Sequence, residues 1–223
     1  MPVMQHVGSS VQFPTDVVIV VVKSVNNPSP VEVNILSTQP IYYLPPEEYL
    51  ALERQAECKS EYVEGAMYAM AGGSERHNLI AANIIIEIGV QLRGRPCRVY
   101  PSDLKVRVPN STKFFYPDVS VVCGAPRFAD DQRDVVLNPV LIVEVLSEST
   151  AGFDRGKKFL SYQQIDSLQE YLLVSQDEFL VEHYIKRDDD NWLYSKVRGL
   201  DGRVALPSIE CGITLSGIYD KTV

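Results

Sequence analysis

The sequence predicts an α/β domain with a mixed central β-sheet flanked by helices, and three observations carry that expectation. Val140 to Leu146 is a nearly continuous apolar run, as required of a strand covered on both faces. From about Glu75 to Leu92, apolar residues fall at 79, 80, 84, 88 and 92, a helical rhythm. The order helix, three or more strands, helix, strand fits α/β or α+β layering.

Taken in chain order, residues 1–40 read as an N-terminal extension and residues 41–223 as the domain. The extension has few charges, several prolines and one β-branched run, Val17–Val22, which either adds an edge strand or stays loose. Asn26-Asn27-Pro28-Ser29-Pro30 after it reads as turn and linker. Pro45-Pro46-Glu47-Glu48 opens a helix, with proline and acids in its first turn. Glu61 to Met70 reads as two short strands turning at Glu64-Gly65. Gly72-Gly73-Ser74 then breaks the strand and caps the helix from Glu75. Arg98 to Tyr100 is a strand candidate. Asp103 to Val108 alternates strictly, which predicts one apolar and one polar face. Asp118 to Val122 and Val140 to Leu146 are the next strands, followed by a helix from about Asp154 to Ile165. Strands near Glu170–Ser175, Phe179–Lys186 and Trp192–Val197 complete the reading, with Asp188-Asp189-Asp190-Asn191 as a solvated hairpin tip.

Composition bounds the function. The chain of 223 residues is 45% hydrophobic and 22% charged, ordinary for a globular protein. Its net charge of −8 argues against nucleic-acid binding by global attraction, so any such contact needs a local basic face. Between Arg93 and Lys113 six cations (Arg93, Arg95, Arg98, Lys105, Arg107, Lys113) meet one acid, Asp103, a local net of +5. Arg155, Lys157 and Lys158 add to this if they project the same way. Cys58, Cys97, Cys123 and Cys211 form no CxxC pair, and read as free, mostly buried thiols in a reducing compartment. No apolar run approaches the ~20 residues of a membrane span, and Val17–Val22 lacks the flanks of a signal peptide. The expectation is a cytoplasmic protein.

Glu144 is the most informative residue, because a carboxylate inside Leu141-Ile142-Val143-Glu144-Val145-Leu146 is costly to bury unpaired. It needs a metal cation, a positively charged side chain, a proton, or a place near the strand's exposed end. Asp118 opens a second apolar strand, Val119 to Val122, after Tyr116-Pro117. If the two strands are neighbours, the carboxylates converge; at about 4 Å they repel by roughly 4 kcal/mol at an effective dielectric near 20. Mg²⁺ or Mn²⁺, which prefer hard oxygen ligands, would relieve that repulsion. The alternative is that Pro117-Asp118 only ends a loop. Downstream, Asp154, Lys158 and Tyr162 recur every four residues and share one helical face, so Lys158 can bring an ammonium to the pair or can point into water.

These residues resemble a known family. Tyr116-Pro117-Asp118-Val119-Ser120-Val121-Val122-Cys123, then Ile142-Val143-Glu144-Val145-Leu146-Ser147 with Ser149-Thr150, then Asp154-Arg155-Gly156-Lys157-Lys158-Phe159 with Tyr162, are similar to the Uma-two family of restriction endonucleases. Ser60 to Gly65, Gly73 to His77 and Glu170 to Val174 extend the likeness, so that it spans about residues 42–222. The resemblance implies a restriction-endonuclease-like core of the PD-(D/E)XK nuclease-like superfamily. There a lysine ordinarily stands two residues after the glutamate; here that position is Leu146, and the lysine is moved to Lys158. The implied catalytic set is Asp118, Glu144, Lys158, Glu61 and His77, with Asp118 and Glu144 as ligands of Mg²⁺ or Mn²⁺. Glu61 and His77 complete the outer part of the site, or His77 serves capping and packing alone.

The activity this implies is metal-dependent hydrolysis of DNA phosphodiester bonds, by a homodimer whose two symmetric sites cut two strands. Most of the family's members have no proven substrate. Two rivals therefore stand beside it: a catalytically silent module binding nucleic acid or protein on the same fold, and a phosphoesterase acting on small nucleotides.

Overall fold

The computed structural model describes residues 43–109, 111–188 and 191–222. The extension, with its Val17–Val22 run, lies outside the described residues, as do Asp189 and Asp190 of the acidic triplet.

Helix α1 (Pro46–Glu53) begins on the proline pair, and Glu47 and Glu48 occupy its first turn. A hairpin follows, β1 (Ser60–Val63) and β2 (Ala66–Ala69), turning through Glu64 and Gly65, both at positive φ. Helix α2 (Glu75–Gln91) is capped by Ser74, whose hydroxyl accepts the His77 N–H; Ile80, Ile84 and Ile88 form its buried stripe. Then come β3 (Cys97–Pro101), β4 (Lys105–Val108), β5 (Lys113–Phe115), β6 (Val119–Cys123), β7 (Val135–Val136) and β8 (Leu141–Leu146). The helical stretch at Ala151–Tyr162 is three pieces in one: α3 (Ala151–Phe153), a π-helical turn at Asp154–Lys158, and α4 (Phe159–Tyr162). Strands β9 (Glu170–Ser175), β10 (Leu180–Lys186) and β11 (Trp192–Arg198) form a meander, and β12 (Arg203–Leu206), β13 (Cys211–Thr214) and α5 (Leu215–Ile218) close the chain.

The central sheet has six strands in the order β11-β10-β9-β8-β6-β3, and is mixed because β8 and β9 run parallel while its other neighbours are antiparallel. All six residues of β8 are buried, as its apolar run predicts. One face packs on α2, α5 and the β12–β13 pair, through Val119, Val121, Leu141, Val143 and Val145 against Ile80, Ile84, Ile88 and Ile218. The other face, carrying Ile142 and Leu146, meets the Ala151–Tyr162 stretch and a second, five-stranded sheet in the order β2-β1-β5-β4-β7. Tyr49 of α1 stacks on Tyr62 beneath this second sheet.

Three expectations are corrected. The strand from Asp103 was to show Lys105 on a polar face, but Lys105 is buried, donating to Tyr116 Oη at 3.2 Å and pairing with Asp134 at 3.0 Å. That partner comes from a distant loop, which alternation cannot foresee. The four cysteines are not all free: antiparallel β3 and β6 place Cys97 opposite Cys123 in a disulfide. Of the two free thiols, Cys58 is exposed and Cys211 only half-buried, which removes the support that buried thiols lent to a reducing compartment. Finally, β5, β7, β12 and β13 have no counterpart in the sequence reading. No helix among the described residues is long and apolar enough to cross a membrane.

Candidate active site

The register of the central sheet makes the site. Val119 pairs with Val143 across antiparallel β6 and β8, so one further step sets Asp118 opposite Glu144. Alternation along β8 sends Leu141, Val143 and Val145 to the α2 face and Ile142, Glu144 and Leu146 to the other, toward the π turn. Asp118 is held from two sides. Its Oδ2 accepts the Val145 N–H at 2.7 Å, and its Oδ1 lies 2.8 Å from His77 Nε2. His77 thus does both things open to it: its backbone joins the cap of α2 and its ring fixes Asp118.

Lys158 enters from the helical stretch and is buried. Its Nζ lies 2.9 Å from Glu61 Oε1, 3.0 Å from Glu144 Oε1 and 3.6 Å from Asp154 Oδ1. The last contact is between residues four apart on the shared face, and Tyr162, a further four along, donates its hydroxyl to Glu144 Oε1 at 3.0 Å. A π turn widens the helix locally, a distortion common at functional sites, and this one carries both Asp154 and Lys158. Glu61 is fixed in turn by the Tyr116 N–H, which donates to its Oε1 at 3.2 Å.

One buried ammonium therefore faces Glu61, Glu144 and Asp154, with Asp118 close enough to be felt by Glu144 and Asp154. Burial pushes Glu144 well above the usual carboxylate range, Lys158 opposes that shift, and Asp154, Asp118 and Glu61 reinforce it. Burial alone would pull Lys158 down, but Glu144, Glu61 and Asp154 outweigh it and hold the lysine well above its ordinary value. The lysine is the group that keeps its proton, because several carboxylates share a single ammonium. Burial and Glu144 also raise Tyr162, so it remains a donor. The hydrogen bond to Asp118 raises His77.

All five residues singled out in the sequence, Asp118, Glu144, Lys158, Glu61 and His77, lie in this one cluster. Asp154 and Tyr162 join them; their four-residue spacing from Lys158 was visible, but their role depends on where Glu144 points. The basic stretch fares differently. Arg95 pairs with Glu210, Arg98 bonds the Gly124 carbonyl, Lys113 pairs with Glu64, and Arg155 pairs with the buried Glu182. Lys158 and Lys105 are buried. The expected +5 is thus largely consumed within the protein.

Among the described residues, no group of three or more His, Cys, Asp or Glu side chains forms a ready metal cage. Mg²⁺ rarely uses one; it commonly takes one or two carboxylates and keeps water or substrate oxygens in its other positions. Asp118 and Glu144, two hard oxygen donors on adjacent strands amid surplus negative charge, fit such a cation.

Comparison with known proteins agrees with this architecture. The Uma2 family model, described as "Putative restriction endonuclease", matches residues 46–216. Two uncharacterized proteins of Synechocystis sp. are similar to the chain. One is 40% identical over 157 residues, covering 70% of this chain and 89% of its own. The other is 39% identical over 180 residues, covering 81% and 93%. A crystal structure from Anabaena variabilis, described as a putative nuclease belonging to DUF820, superposes with a TM-score of 0.65 at 20% identity, covering 80% of this chain and 98% of that one. At that identity the likeness speaks for the fold, and the fold is restriction-endonuclease-like.

Proposed function

The chain belongs to the Uma2 family, whose model is described as "Putative restriction endonuclease", and within it we propose that this protein is a divalent-metal-dependent nuclease hydrolysing DNA phosphodiester bonds. The observation that carries the reading is the ammonium of Lys158, buried against Glu144 and Glu61 although it comes from a helix, where a nuclease of this superfamily would take its lysine from position 146.

Asp118 and Glu144 would hold Mg²⁺ or Mn²⁺. A cation so bound supplies charge neutralisation at the phosphate and a more acidic water. The other contributions come from the chain itself. His77 and the Val145 N–H fix Asp118 so that both its oxygens keep a set direction. Tyr162 orients Glu144. Lys158, kept protonated by its carboxylates, exchanges one of them for a phosphoryl oxygen and stabilises the charge that grows there in the pentacovalent transition state. Glu61 and Asp154 hold the ammonium in place meanwhile. A closed two-fold homodimer, acting in the cytoplasm, would bring two such sites to the two strands of a duplex; molar mass in solution at micromolar concentration tests that, and a monomer would refute it.

The test of function is cleavage of end-labelled single- and double-stranded DNA under Mg²⁺ and Mn²⁺ titration, with a length series down to dinucleotides. Metal-dependent cutting of the longer substrates, abolished in Asp118→Asn, is expected. Turnover of only the shortest would assign a small-nucleotide phosphoesterase. Metal binding with no cleavage of any substrate would assign a silent module.

A further inference from the structure

Helix α2 buries Ile80, Ile84 and Ile88 against the central sheet, and its opposite side is apolar as well. Ile86 is 60% exposed and Val90, one turn on, is 55% exposed; the exposed Ala82 stands one turn before them. Single apolar side chains on a surface are ordinary, but an aligned row on one helix marks a contact face.

The row has the spacing of a helix–helix seam. Leu79, Ala82, Ile86 and Gly89 alternate steps of three and four, and Glu75 lies one turn before them. At about 100° per residue these five point within about 40° of the direction opposite Ile84, away from the sheet. Arg93 continues the row just past the helix end, in the turn closed by its N–H on the Val90 carbonyl. Glu75 and Arg93 are exposed, and neither has an ion-pair partner among the described residues. Beside Gly89 there is open space: a Cβ there would meet nothing within 4 Å.

The order of residues identifies the occupant, because the seam is complementary to itself. On a second copy laid antiparallel, with the two-fold axis at Ile84, Glu75 meets the partner's Arg93. Leu79 meets the partner's Gly89, Ala82 meets the partner's Ile86, and the symmetry repeats each contact in reverse. Every large apolar side chain thus faces a small one, and both ends bring opposite charges together. A parallel pairing would set Ile86 on Ile86 and Glu75 on Glu75, and loses both matches.

We propose that α2 is the self-association face of this protein, two copies packing α2 on α2, antiparallel, about a two-fold axis at Ile84. The proposal rests on the homodimer of the nuclease reading and names its interface. His77, near the N-terminal end of α2, touches Asp118, so the two carboxylate clusters come to opposite ends of the helix pair. None of their residues lies on the seam, and each cluster is complete within its own copy.

The experiment is sedimentation velocity of the full-length protein across the micromolar range at low salt, with urea unfolding of each variant below the dimer's Kd. A dimer of micromolar Kd is expected, since a seam one helix wide is at the small end of stable interfaces. Gly89→Leu fits the single chain without strain and removes a glycine from a helix interior. Its unfolding stability should equal or exceed that of wild type, while its dimer Kd should rise at least about 10-fold through the clash with the partner's Leu79. Glu75→Arg and Arg93→Glu should each raise Kd on the order of 10-fold, and an equimolar mixture of the two should associate like wild type, because each charge then meets its opposite. A dimer untouched by all three variants, or a mixture that stays dissociated, would overturn this face and leave the homodimer to another. A wild-type monomer throughout the range would overturn both the face and the homodimer; if Ile86→Asp also destabilised that monomer, the chain's own N-terminal extension would be the occupant. Association as expected in a protein that cleaves nothing would uphold the face and sink the nuclease reading.

Discussion

Replacing Lys158 with methionine keeps the apolar stem and deletes one charge. Glu144, Asp154 and Glu61 would then lose the ammonium that lies 3.0, 3.6 and 2.9 Å from them. Leaving a buried ion pair half-made costs about 3–5 kcal/mol, a large part of the roughly 5–15 kcal/mol that holds a domain together. The neighbouring Lys157 is exposed, and Lys157→Ala should stay within about 0.5 kcal/mol. A divalent cation can occupy the vacated electrostatic position, so the variant should be stabilised by Mn²⁺ more than wild type is. At a hundred times its dissociation constant the ion restores about 2.7 kcal/mol. With the ammonium gone, Glu144 moves up further and takes a proton more readily. A group whose folded pKa exceeds its unfolded one adds stability as pH falls, so the variant's deficit should shrink on acidification. Urea unfolding followed through the single tryptophan, Trp192, whose ring meets Phe159 edge-on next to Lys158, reads all of this. A loss below about 1 kcal/mol, or equal Mn²⁺ stabilisation of both proteins, would mean that Lys158 does not neutralise this carboxylate cluster.

Further outcomes can be checked in the same way. Tyr162→Phe removes one hydrogen bond to Glu144 and should cost about 1 kcal/mol in unfolding experiments, with a larger fall in cleavage rate than in substrate affinity if Tyr162 orients that carboxylate. Asp134 is held down to about 2 by Arg54 and, with it, Lys105. Its contribution is complete above the unfolded value near 3.8 and is lost as pH falls through about 2, so Asp134→Asn should cost about 2 kcal/mol or more at pH 7, since it also leaves the buried Lys105 ammonium without its carboxylate, with the gap to wild type narrowing between pH 4 and 2. Reducing the Cys97–Cys123 disulfide, which closes a separation of 26 residues, should lower stability by about 2–4 kcal/mol in denaturation with and without a thiol reductant; no change would mean that the pair is not bonded in solution.

The parts of the fold legible in the sequence were those whose burial leaves a periodic trace. α2 shows its Ile80, Ile84 and Ile88 stripe, and β8 is apolar throughout apart from Glu144. In the second sheet β1, β2 and β4 are legible, but β5 and β7 leave no such trace. β5 and β7 are three and two residues long, and their pairing joins segments far apart in sequence. Lys105 looked like a solvent-facing residue because Asp134, its partner, is supplied by tertiary structure. The disulfide depends on register between β3 and β6, which spacing does not encode. Clustered cations in sequence were scattered by the fold onto Glu210, Gly124, Glu64 and Asp134. The site was the more readable part, since a glutamate inside an apolar strand demands compensation and the four-residue spacing of Asp154, Lys158 and Tyr162 offers it. That Asp154 belongs to the carboxylate cluster became apparent only from the π turn.

In the proposed metal-dependent nuclease site, Lys158 supplies the ammonium. Single-turnover cleavage of labelled DNA at saturating Mn²⁺, compared between Lys158→Ala and Lys157→Ala at a temperature where both remain folded, addresses it most directly. Lys158→Ala should lose most of the rate, about 100-fold or more, while Lys157→Ala should stay within a few-fold of wild type. Equal rates in the two variants would contradict that role.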